Sequence, residues 1–387
     1  MFPGLQNLLR RVGGEEKASR TGSVIALHQA GRPVWTPRDY ATLTREGFVR
    51  NAVVFRCVRT IAEAAGSAPL VLYENGKALD EHPLLDLLAR PNARQSGAVF
   101  LEALAGHLLV AGNAYAEMVA VDGAPRELHA LRPDRMKVVP GPDGWPEAYE
   151  YSVGAETVRF RQDAAVPPVL HLAFFHPLDD HYGFSPLEAA AQALDVHNAA
   201  SAWNKALLDN AARPSGALVY AGPEGANLTD DQFERLKEEL DSQFSGPRNA
   251  GRPLLLDGGL DWKAMALTPK DMDFMQAKNG AAREIALAFG VPPMLLGIPG
   301  DNTYANYQEA NRALWRQTVL PLLGRVLGDI AHWLGPAFGE AALRVEPDLD
   351  RIEALSSDRE ALWRRVEAAS FLTDEEKRQA VGYGSGS

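Results

Sequence analysis

The chain has 387 residues, 46% hydrophobic and 23% charged, which is enough for two or three compact regions of ordinary globular composition. Its net charge of −11 is opposite in sign to that of proteins that hold nucleic acid through the phosphates. A single cysteine, Cys57, excludes an internal disulfide, and no apolar run approaches the roughly 20 residues of a membrane span.

The first 40 residues mix Gly, Arg, Ser and Thr without lasting periodicity, so 1–40 is predicted to be a loosely held N-terminal arm. A helix is predicted over Phe48–Ala65, because apolar residues recur every fourth position on one face. These residues are Val49, Val53, Cys57 and Ile61. We interpret Cys57 as a small core residue rather than a thiol nucleophile.

Short elements precede a β-rich region. A strand is predicted over Pro69–Tyr73, followed by Asn75-Gly76, a dipeptide typical of tight hairpin turns. Helices are predicted over His82–Ala89 and Ser96–Val110, and Ser96 is the N-cap of the second.

From Asn113 to Phe175 the pattern changes to alternating and β-branched residues, which predicts a compact β-rich unit. The predicted strands are Ala114–Val121, Met136–Val139, Tyr149–Val153, Thr157–Arg161 and Val169–Phe174. Turn signals separate them at Asp122-Gly123, Pro142-Asp143-Gly144 and Gly154.

A capping box, Ser185-Pro-Leu-Glu188, opens a long helix that is predicted to run to about Ala212. A second helix, capped by Thr268-Pro269, is predicted to end at Phe289. The two helices bracket a small α/β insert, an arrangement that suggests a stalk with a head at its tip. The insert's predicted parts are strands Gly216–Tyr220, Pro253–Asp257 and Trp262–Leu267, and a helix capped by Thr229 and Gln232.

The second helix is ended by Gly290 and Pro292, and the next residues are apolar as far as Ile298, then small and polar. Such a segment is either buried by its own fold or presented to something that the protein handles. Beyond it, a long helix is predicted over Ala305–Leu334, with a kink at Pro321. The last predicted elements are a strand, Leu343–Val345, a helix, Asp350–Ala369, and a capping box, Thr373–Glu376.

The chain has no phosphate-binding loop of the Gly-x-x-x-x-Gly-Lys-[Ser/Thr] type, no nucleophile elbow, no His-Glu-x-x-His and no paired cysteines. The group that best suits a divalent cation is His171, His176, Asp179, Asp180 and His181. Pro177 and Gly183 suggest instead that this stretch is a turn that leads into the Ser185 cap. If these residues bind a metal, the chain is a metal-dependent hydrolase that uses Asp179, Asp180 and His181. Another possible function is that of a monomeric α/β binding module.

Two polar stretches of the insert also have two interpretations each. The acidic helix face is either a site for a basic partner or a solvated surface, and it comprises Asp230, Glu234, Glu238 and Asp241. The stretch Arg248–Arg252 is either a nucleic-acid contact or a polar loop.

Six short motifs, and their order along the chain, resemble those of the portal proteins of long-tailed double-stranded-DNA phages. This family includes the portal proteins of phage-derived gene transfer agents. The motifs are Gly112-Asn-Ala-Tyr115, Tyr182-Gly-Phe-Ser-Pro-Leu187, Gly290-Val-Pro-Pro-Met-Leu-Leu-Gly297, Thr303-Tyr-Ala-Asn306, Leu320-Pro-Leu322 and Phe371-Leu-Thr-Asp-Glu-Glu-Lys-Arg378. The similarity spans about 45–382, and the stretch 284–306 is its most specific part.

The resemblance implies an α+β fold of the phage-portal architecture, with a β-rich wing, a two-helix stem, a small α/β clip, a long kinked wing helix and a short helical crown. The implied boundaries are the wing at 41–185, stem helices at 186–212 and 270–290, the clip at 213–269, the tunnel loop at 291–304, the wing helix at 305–335, and the crown with its C-terminal tail at 336–387.

The resemblance also implies a role. The chain is expected to be a non-enzymatic, cofactor-free subunit of a ring of twelve at one capsid vertex, the channel for DNA packaging and genome ejection. The implied partners are other copies of the chain, double-stranded DNA, the terminase, the head–tail adaptor and the major capsid protein, with no membrane. The implied location is the virion or a phage-like particle, after assembly in the bacterial cytoplasm.

Two sets of site residues follow from the same resemblance. The tunnel loop is expected to face DNA through Leu295, Leu296, Ile298, Asp301, Asn302, Thr303 and Tyr304. The clip is expected to contact its partners through Arg248, Asn249 and Arg252. The acidic charge suits a conduit, because a ring of acidic subunits repels the phosphate backbone instead of trapping it.

Overall fold

The computed structural model describes residues 35–209, 216–220, 260–264, 274–299, 304–339 and 343–382, with single positions between 229 and 238. The helices and strands given below lie in one unit, Thr36–Ser387. Over the ranges described, the helices are too short or too polar to cross a membrane.

Helices and antiparallel sheets are mixed along the chain, which confirms the α+β class. The helices are α1 Tyr40–Thr44, α2 Ala52–Ser67, α3 Pro83–Ala89, α4 Gly97–Ala111, α5 Pro186–Ala189, α6 Ala191–Asp209, α7 Phe274–Ala288, α8 Tyr304–Leu314, α9 Leu320–Leu334, α10 Ser356–Glu367 and α11 Asp374–Ala380. The strands are β1 Leu70–Glu74, β2 Lys77–Leu79, β3 Asn113–Val121, β4 Ala124–Leu131, β5 Met136–Pro140, β6 Pro146–Val153, β7 Glu156–Arg161, β8 Val169–Ala173, β9 Gly216–Tyr220, β10 Leu260–Ala264 and β11 Leu343–Pro347. Two π-helical turns lie at Arg45–Val49 and Trp315–Val319, and a short 3-10 helix lies at Pro293–Leu296.

In the part of the chain described, the strands form four antiparallel sheets, with orders β11-β1-β2, β4-β3-β8, β5-β6-β7 and β9-β10. Two hairpins have the turns that the sequence predicts. Asn75 and Gly76 have φ angles of 51° and 82°, and Asp122 and Gly123 have 52° and 79°. Positive φ at both central residues is the requirement of the type I′ turn.

The main core lies where α2, α4 and α9 pack with β1, β3, β8 and β11. A second cluster fills the β-rich region between β3, β5 and β6, around Tyr115, Val138 and Tyr149. Cys57 is fully buried in the main core, and burial raises the pKa of its thiol to about 12. The interpretation of Cys57 as a core residue is confirmed.

The prediction of a helix over Phe48–Ala65 is wrong at the N-terminal end, because α2 begins at Ala52. Asn51 caps α2, its side-chain oxygen accepting from the amides of Val53 and Val54 at 3.0 and 3.2 Å. The preceding residues form a π-helical turn, so they do not continue the α-helical face. Val49 is consequently 71% exposed rather than buried with Ile61.

Strand β4 is not evident from the sequence, because its buried residues do not alternate. Its register against β3 shifts between Val119 and Ala120, which pair with Glu127 and Pro125 and leave Arg126 as the extra residue of a bulge. A bulge resets the two-residue period of the side chains, so the pattern loses its strand signature.

The long helix predicted over Ala305–Leu334 is two α-helices, α8 and α9, joined by the π-helical turn Trp315–Val319. The Leu320 amide donates to the Trp315 carbonyl, five residues back. Pro321 follows directly and has no N–H to continue an α-helical ladder, which explains a change of hydrogen-bond register at this point.

The C-terminal helix predicted over Asp350–Ala369 starts later, at Ser356, after two 3-10 turns. Asp348 accepts the Asp350 amide at 3.1 Å, and this local bond favours a turn over a helix. The capping box at Thr373 and Glu376 is present in both directions, as predicted.

Candidate functional site

Two of the sequence motifs meet where the β-rich region joins the first long helix. Helix α4 ends at Ala111, and its C-cap residue, Gly112, has a φ of 73°. A Cβ added at Gly112 would lie 2.3 Å from the Gly183 carbonyl oxygen, and one added at Gly183 would lie 2.1 Å from the Gly112 oxygen. The two backbones can touch only because both residues are glycines.

Asn113, next to this contact, is buried and ties three segments together. Its side-chain oxygen accepts the Gly183 amide at 2.8 Å and lies 3.0 Å from Nε2 of His171. An amide oxygen only accepts, so His171 donates from Nε2 and carries no proton on Nδ1. Burial lowers the pKa of His171 to about 4, which keeps the ring neutral. Asn113 therefore orients β8 and the loop after it.

The chain then enters the first long helix through the predicted cap. Ser185 accepts the Glu188 amide at 3.0 Å, and Pro186 is the first helical residue. The helix is interrupted at Ala190, whose ψ of 1° is not helical, and resumes as α6. The residues after Asp209, up to the predicted end at Ala212, lie outside the described ranges.

A second tie holds α6 against the start of α2. The side-chain nitrogen of Asn51 donates to the side-chain oxygen of Asn198 at 2.8 Å and lies 3.0 Å from Nδ1 of His197. Asn198 in turn donates to the Glu46 carbonyl at 3.0 Å. Asn51 thus caps one helix and anchors another. Nothing in the sequence pattern indicates that Asn51, His197 and Asn198 contact one another.

Helix α7 packs against α6, and Ile285 and Leu194 both belong to the main core. Helix α7 ends at Ala288, and Gly290 follows with a φ of 68°. The Gly290 carbonyl accepts the Thr318 hydroxyl at 2.7 Å. This bond joins the end of α7 to the π-helical turn between α8 and α9.

The apolar half of the predicted tunnel loop packs against its own fold. Leu295 and Leu296 are half-buried on the main core, and Ile298 is 7% exposed in a small separate cluster with Ala282 and Ala286 of α7. The Ile298 amide donates to the Pro293 carbonyl at 3.2 Å. Of the two possibilities that the sequence allows, burial by the protein's own fold holds for Val291 and Ile298, whereas Gly297 and Pro299 are exposed.

The other predicted site residues are placed only in part. Asp301, Asn302 and Thr303 lie outside the described residues, and Tyr304 begins α8. Arg248, Asn249 and Arg252 also lie outside them. Contact of these residues with DNA or with partner proteins stays a prediction.

Parts of the insert are described. Strands β9 and β10 pair from Gly216 with Ala264 to Tyr220 with Leu260. The predicted capping box at Thr229 and Gln232 is present, with bonds of 3.0 and 3.3 Å. On the acidic face Glu234 and Glu238 are exposed, whereas Asp230 and Asp241, like the predicted strand Pro253–Asp257, lie outside the described positions.

The residues that the sequence offers as ligands of a divalent cation lie in a turn after β8, except His171, which lies on β8 itself. Asp179 accepts the amides of His181 and Tyr182 at 2.8 and 2.9 Å, and these bonds lower its pKa. His176 accepts the Leu178 amide at 3.0 Å. Over the residues described, no three side chains of His, Cys, Asp or Glu come together as a metal site. The hydrolase alternative through Asp179, Asp180 and His181 therefore has no geometric support.

The comparisons agree with the motifs. A family model described as phage portal protein matches residues 52–382. The neck of an empty gene transfer agent particle, computed with C6 symmetry, contains a chain 56% identical to this one; the match covers 92% of this chain and 96% of that one, with a TM-score of 0.72. A chain in the neck of a native particle, computed with C12 symmetry, is 55% identical, with 92% and 97% covered and a TM-score of 0.70.

A more distant relative is the portal protein of Enterobacteria phage HK97, 26% identical over 382 residues, which are 95% of this chain and 86% of the relative. The motif residues Gly112, Asn113 and Gly183 make the junction described above, so they have a structural role in the fold that the family model matches. The chain belongs to the phage portal protein family.

Proposed function

We propose that the chain is one subunit of a closed ring of twelve at one vertex of a phage or gene transfer agent head. The ring forms the channel through which double-stranded DNA is packaged and later ejected. The observation that carries this proposal is the likeness to the chain in the native gene transfer agent neck that was computed with C12 symmetry. At 55% identity over 92% of the chain, the same assembly is the simplest expectation.

Within the ring, we assign the constriction to residues 291–304. Leu295, Leu296 and Ile298 anchor the segment on the subunit's own core, and Asp301–Tyr304 face the DNA. Three ties support the anchor. Thr318 bonds the Gly290 carbonyl, Ile298 fills the small cluster on α7, and the Arg283 side chain donates to the Pro299 carbonyl. A loop held at this base can carry a short polar tip without loosening the helices.

The net charge supports a channel rather than a DNA-binding surface. A subunit of charge −11, repeated around a ring, presents a repulsive field to the phosphate backbone, which lowers the chance of stalling. A dense ring of cations would instead hold DNA by releasing its counterions.

The remaining parts take the roles that the family architecture implies. The clip, with Arg248, Asn249 and Arg252, binds the terminase during filling and the head–tail adaptor afterwards. The wing contacts the major capsid protein. Assembly takes place in the bacterial cytoplasm, and the ring acts without catalysis or cofactor.

The ring is tested by size and shape. The purified chain should form particles of roughly 500 kDa, twelve times its mass of 42.0 kDa, with an annular outline by negative-stain electron microscopy. Imaging of the particle vertex should show the same ring. A vertex that holds a different protein would overturn the proposal.

The role of the loop's polar tip is tested by replacing the tip while keeping the apolar residues that hold the loop on the core. Residues 300–303 are replaced by Gly-Ser-Gly-Ser, so that Ile298 and its contacts stay. Rings should form normally, but DNA packaging or retention should fall. The control replaces Ala155–Glu156, in the exposed β6–β7 hairpin, by Gly-Ser and should fill normally. Normal DNA content in the tip variant would refute the assignment of the loop but not of the ring.

A further inference from the structure

Two large apolar side chains project from the surface just before α5. Phe175 is 80% exposed and Leu178 is 90% exposed. The loop that carries them is held by its own bonds, because His176 accepts the Leu178 amide and Asp179 accepts the amides of His181 and Tyr182. Phe175–Asp180 is called the acidic knob below. Large exposed apolar groups with a polar rim are typical of protein interaction sites.

The knob itself is acidic. It contains Asp179 and Asp180 and no lysine or arginine, whereas the nearby Asp163 is paired with Arg161 at 2.9 Å. One cation lies beneath the knob. Arg325 donates to the Ala173 carbonyl and lies 5.9 Å from the centre of the Phe174 ring. It is held at the base of the loop, whereas the carboxylates lie at its tip.

A second surface has apolar groups with the opposite charge around them. Val49 is 71% exposed and Phe55 is 45% exposed, with its ring 5.2 Å from that of Phe48. Residues 36–59 contain five arginines against Asp39 and Glu46. The set Val49, Arg50, Phe55 and Arg56 is called the basic face below.

The arginines of the basic face differ in how well they are paired. Arg50 bonds Glu46 at 2.8 Å, whereas the carboxylate nearest Arg56 is that of Glu63, at 4.0 Å. Glu63 is already bonded by Arg59, which also pairs with Glu102 at 2.9 Å. Arg56 is thus the member of the face that gains most from a new carboxylate.

Both surfaces are tied to the segment of the chain that contains α5 and α6. The knob continues through Gly183 into the Ser185 cap. The basic face is tied there because Gly47 packs against Leu187 and Asn198 bonds the Glu46 carbonyl. Rotation about a ring axis keeps every residue at its own height. Two surfaces that meet between neighbours in a ring must therefore lie at similar heights.

We propose that the acidic knob of one subunit packs against the basic face of the next, with Leu178 and Phe175 on Val49 and Phe55, and Asp180 near Arg56. The inference rests on the proposed ring. It adds the partner surface, a second copy of this chain. The contact joins two different surfaces, so it propagates in one direction around the ring. Complementary charge fixes the register of the contact more than its strength.

Cross-linking tests the pairing. Val49→Cys and Leu178→Cys are combined in one chain, and assembled rings are treated with a flexible bis-maleimide. The native Cys57 is buried, with a raised thiol pKa, so it contributes no background. A ladder of covalent oligomers is expected from the double variant and none from either single variant. As a control, Val158→Cys, at a 53% exposed valine on β7, replaces Leu178→Cys and should give no ladder.

Three results are informative in other ways. Intact rings without a ladder would refute the pairing and leave the ring standing. A ladder from Leu178→Cys alone would show that the knob meets another knob and would also refute it. Absence of rings in the parent chain would refute the proposed function, and this inference with it.

Charge exchange provides a second test. Asp180→Arg or Arg56→Asp alone should raise the chain concentration needed for half-maximal ring formation about fivefold, and the combination should restore most of the loss. Glu156→Arg, an equally drastic change on the exposed β6–β7 hairpin, is the control and should have no effect. Equal losses from the single and combined variants would contradict the proposed contact.

Discussion

Replacing Ile298 by alanine tests whether the base of the predicted tunnel loop is held by this one side chain. Ile298 is 7% exposed and packs in a cluster of three buried residues, with Ala282 and Ala286. The change removes three carbon atoms, worth about 2.4 kcal/mol of apolar transfer free energy. Two of the neighbours are alanines, which cannot fill the space, and the other two, Val53 and Leu296, are half-buried, so a cavity cost brings the total to about 2–4 kcal/mol.

The loss should be mainly local, because the three buried residues form a cluster of their own, which meets the main core through the half-buried Val53 and Leu296. The amides of Val291, Gly297 and Ile298, which bond backbone carbonyls at 2.9 to 3.2 Å, should exchange with solvent roughly 30-fold faster or more. Hydrogen exchange resolved by mass spectrometry or NMR measures this, while the midpoint of chemical denaturation of the main core should move little.

Leu287→Ala is the matched control. Leu287 lies on α7, the helix that carries Ala282 and Ala286, and its truncation removes the same number of carbon atoms. It is 79% exposed, so the exchange rates should stay unchanged. Equal exchange in the Ile298 variant and the parent chain would refute the argument that Ile298 anchors the loop. Equal acceleration in both variants would refute it as well.

Three further changes test the contact at Gly183, the buried ring of His171 and the bond from Thr318. Gly183→Ala should lower the free energy of unfolding by at least about 2 kcal/mol, because its Cβ meets only backbone, whereas Gly106→Ala, in open space on α4, should raise it by up to about 1 kcal/mol; thermal and urea unfolding measure both. His171 has a pKa of about 4 when folded and about 6.5 when unfolded, so its stabilisation is complete above pH 6.5 and lost as the pH falls towards 4; His171→Gln should flatten the pH dependence of stability in that window. Thr318→Val should cost about 1 kcal/mol by removing the bond to the Gly290 carbonyl, and Thr318→Ser, which keeps the hydroxyl, should cost less. Equal stability of the valine and serine variants would contradict the role of that hydroxyl.

Features that depend on a few neighbouring residues could be predicted from the sequence. The turn at Asn75-Gly76 needs positive φ at two positions, and the caps at Ser96, Ser185 and Thr373 need only an oxygen three residues before an amide. These chemical requirements are local, so one chain is enough to recognise them. Most strands of the β-rich unit were predictable for the same reason.

Features that depend on distant contacts could not. Gly112 and Gly183 are 71 positions apart, and nothing in either motif indicates that they touch. Val49 fits the apolar period of α2, but the Asn51 cap excludes it from that helix. In the candidate site, the motif at 290–297 could be found from the sequence, whereas its partners Thr318 and Arg283 could not. They bond backbone carbonyls, and any donor at the right place would serve.

The π-helical turn at Trp315–Val319 constrains how this protein can change in length. Each residue of an α-helix advances about 100° around the axis, so removing one residue from the turn would rotate α8 against α9 by about that angle. Leu314, 2% exposed, would then leave the core while polar neighbours entered it. Insertions and deletions should therefore be rarer between α8 and α9 than in the hairpins of the β-rich region, although both are connections between regular elements.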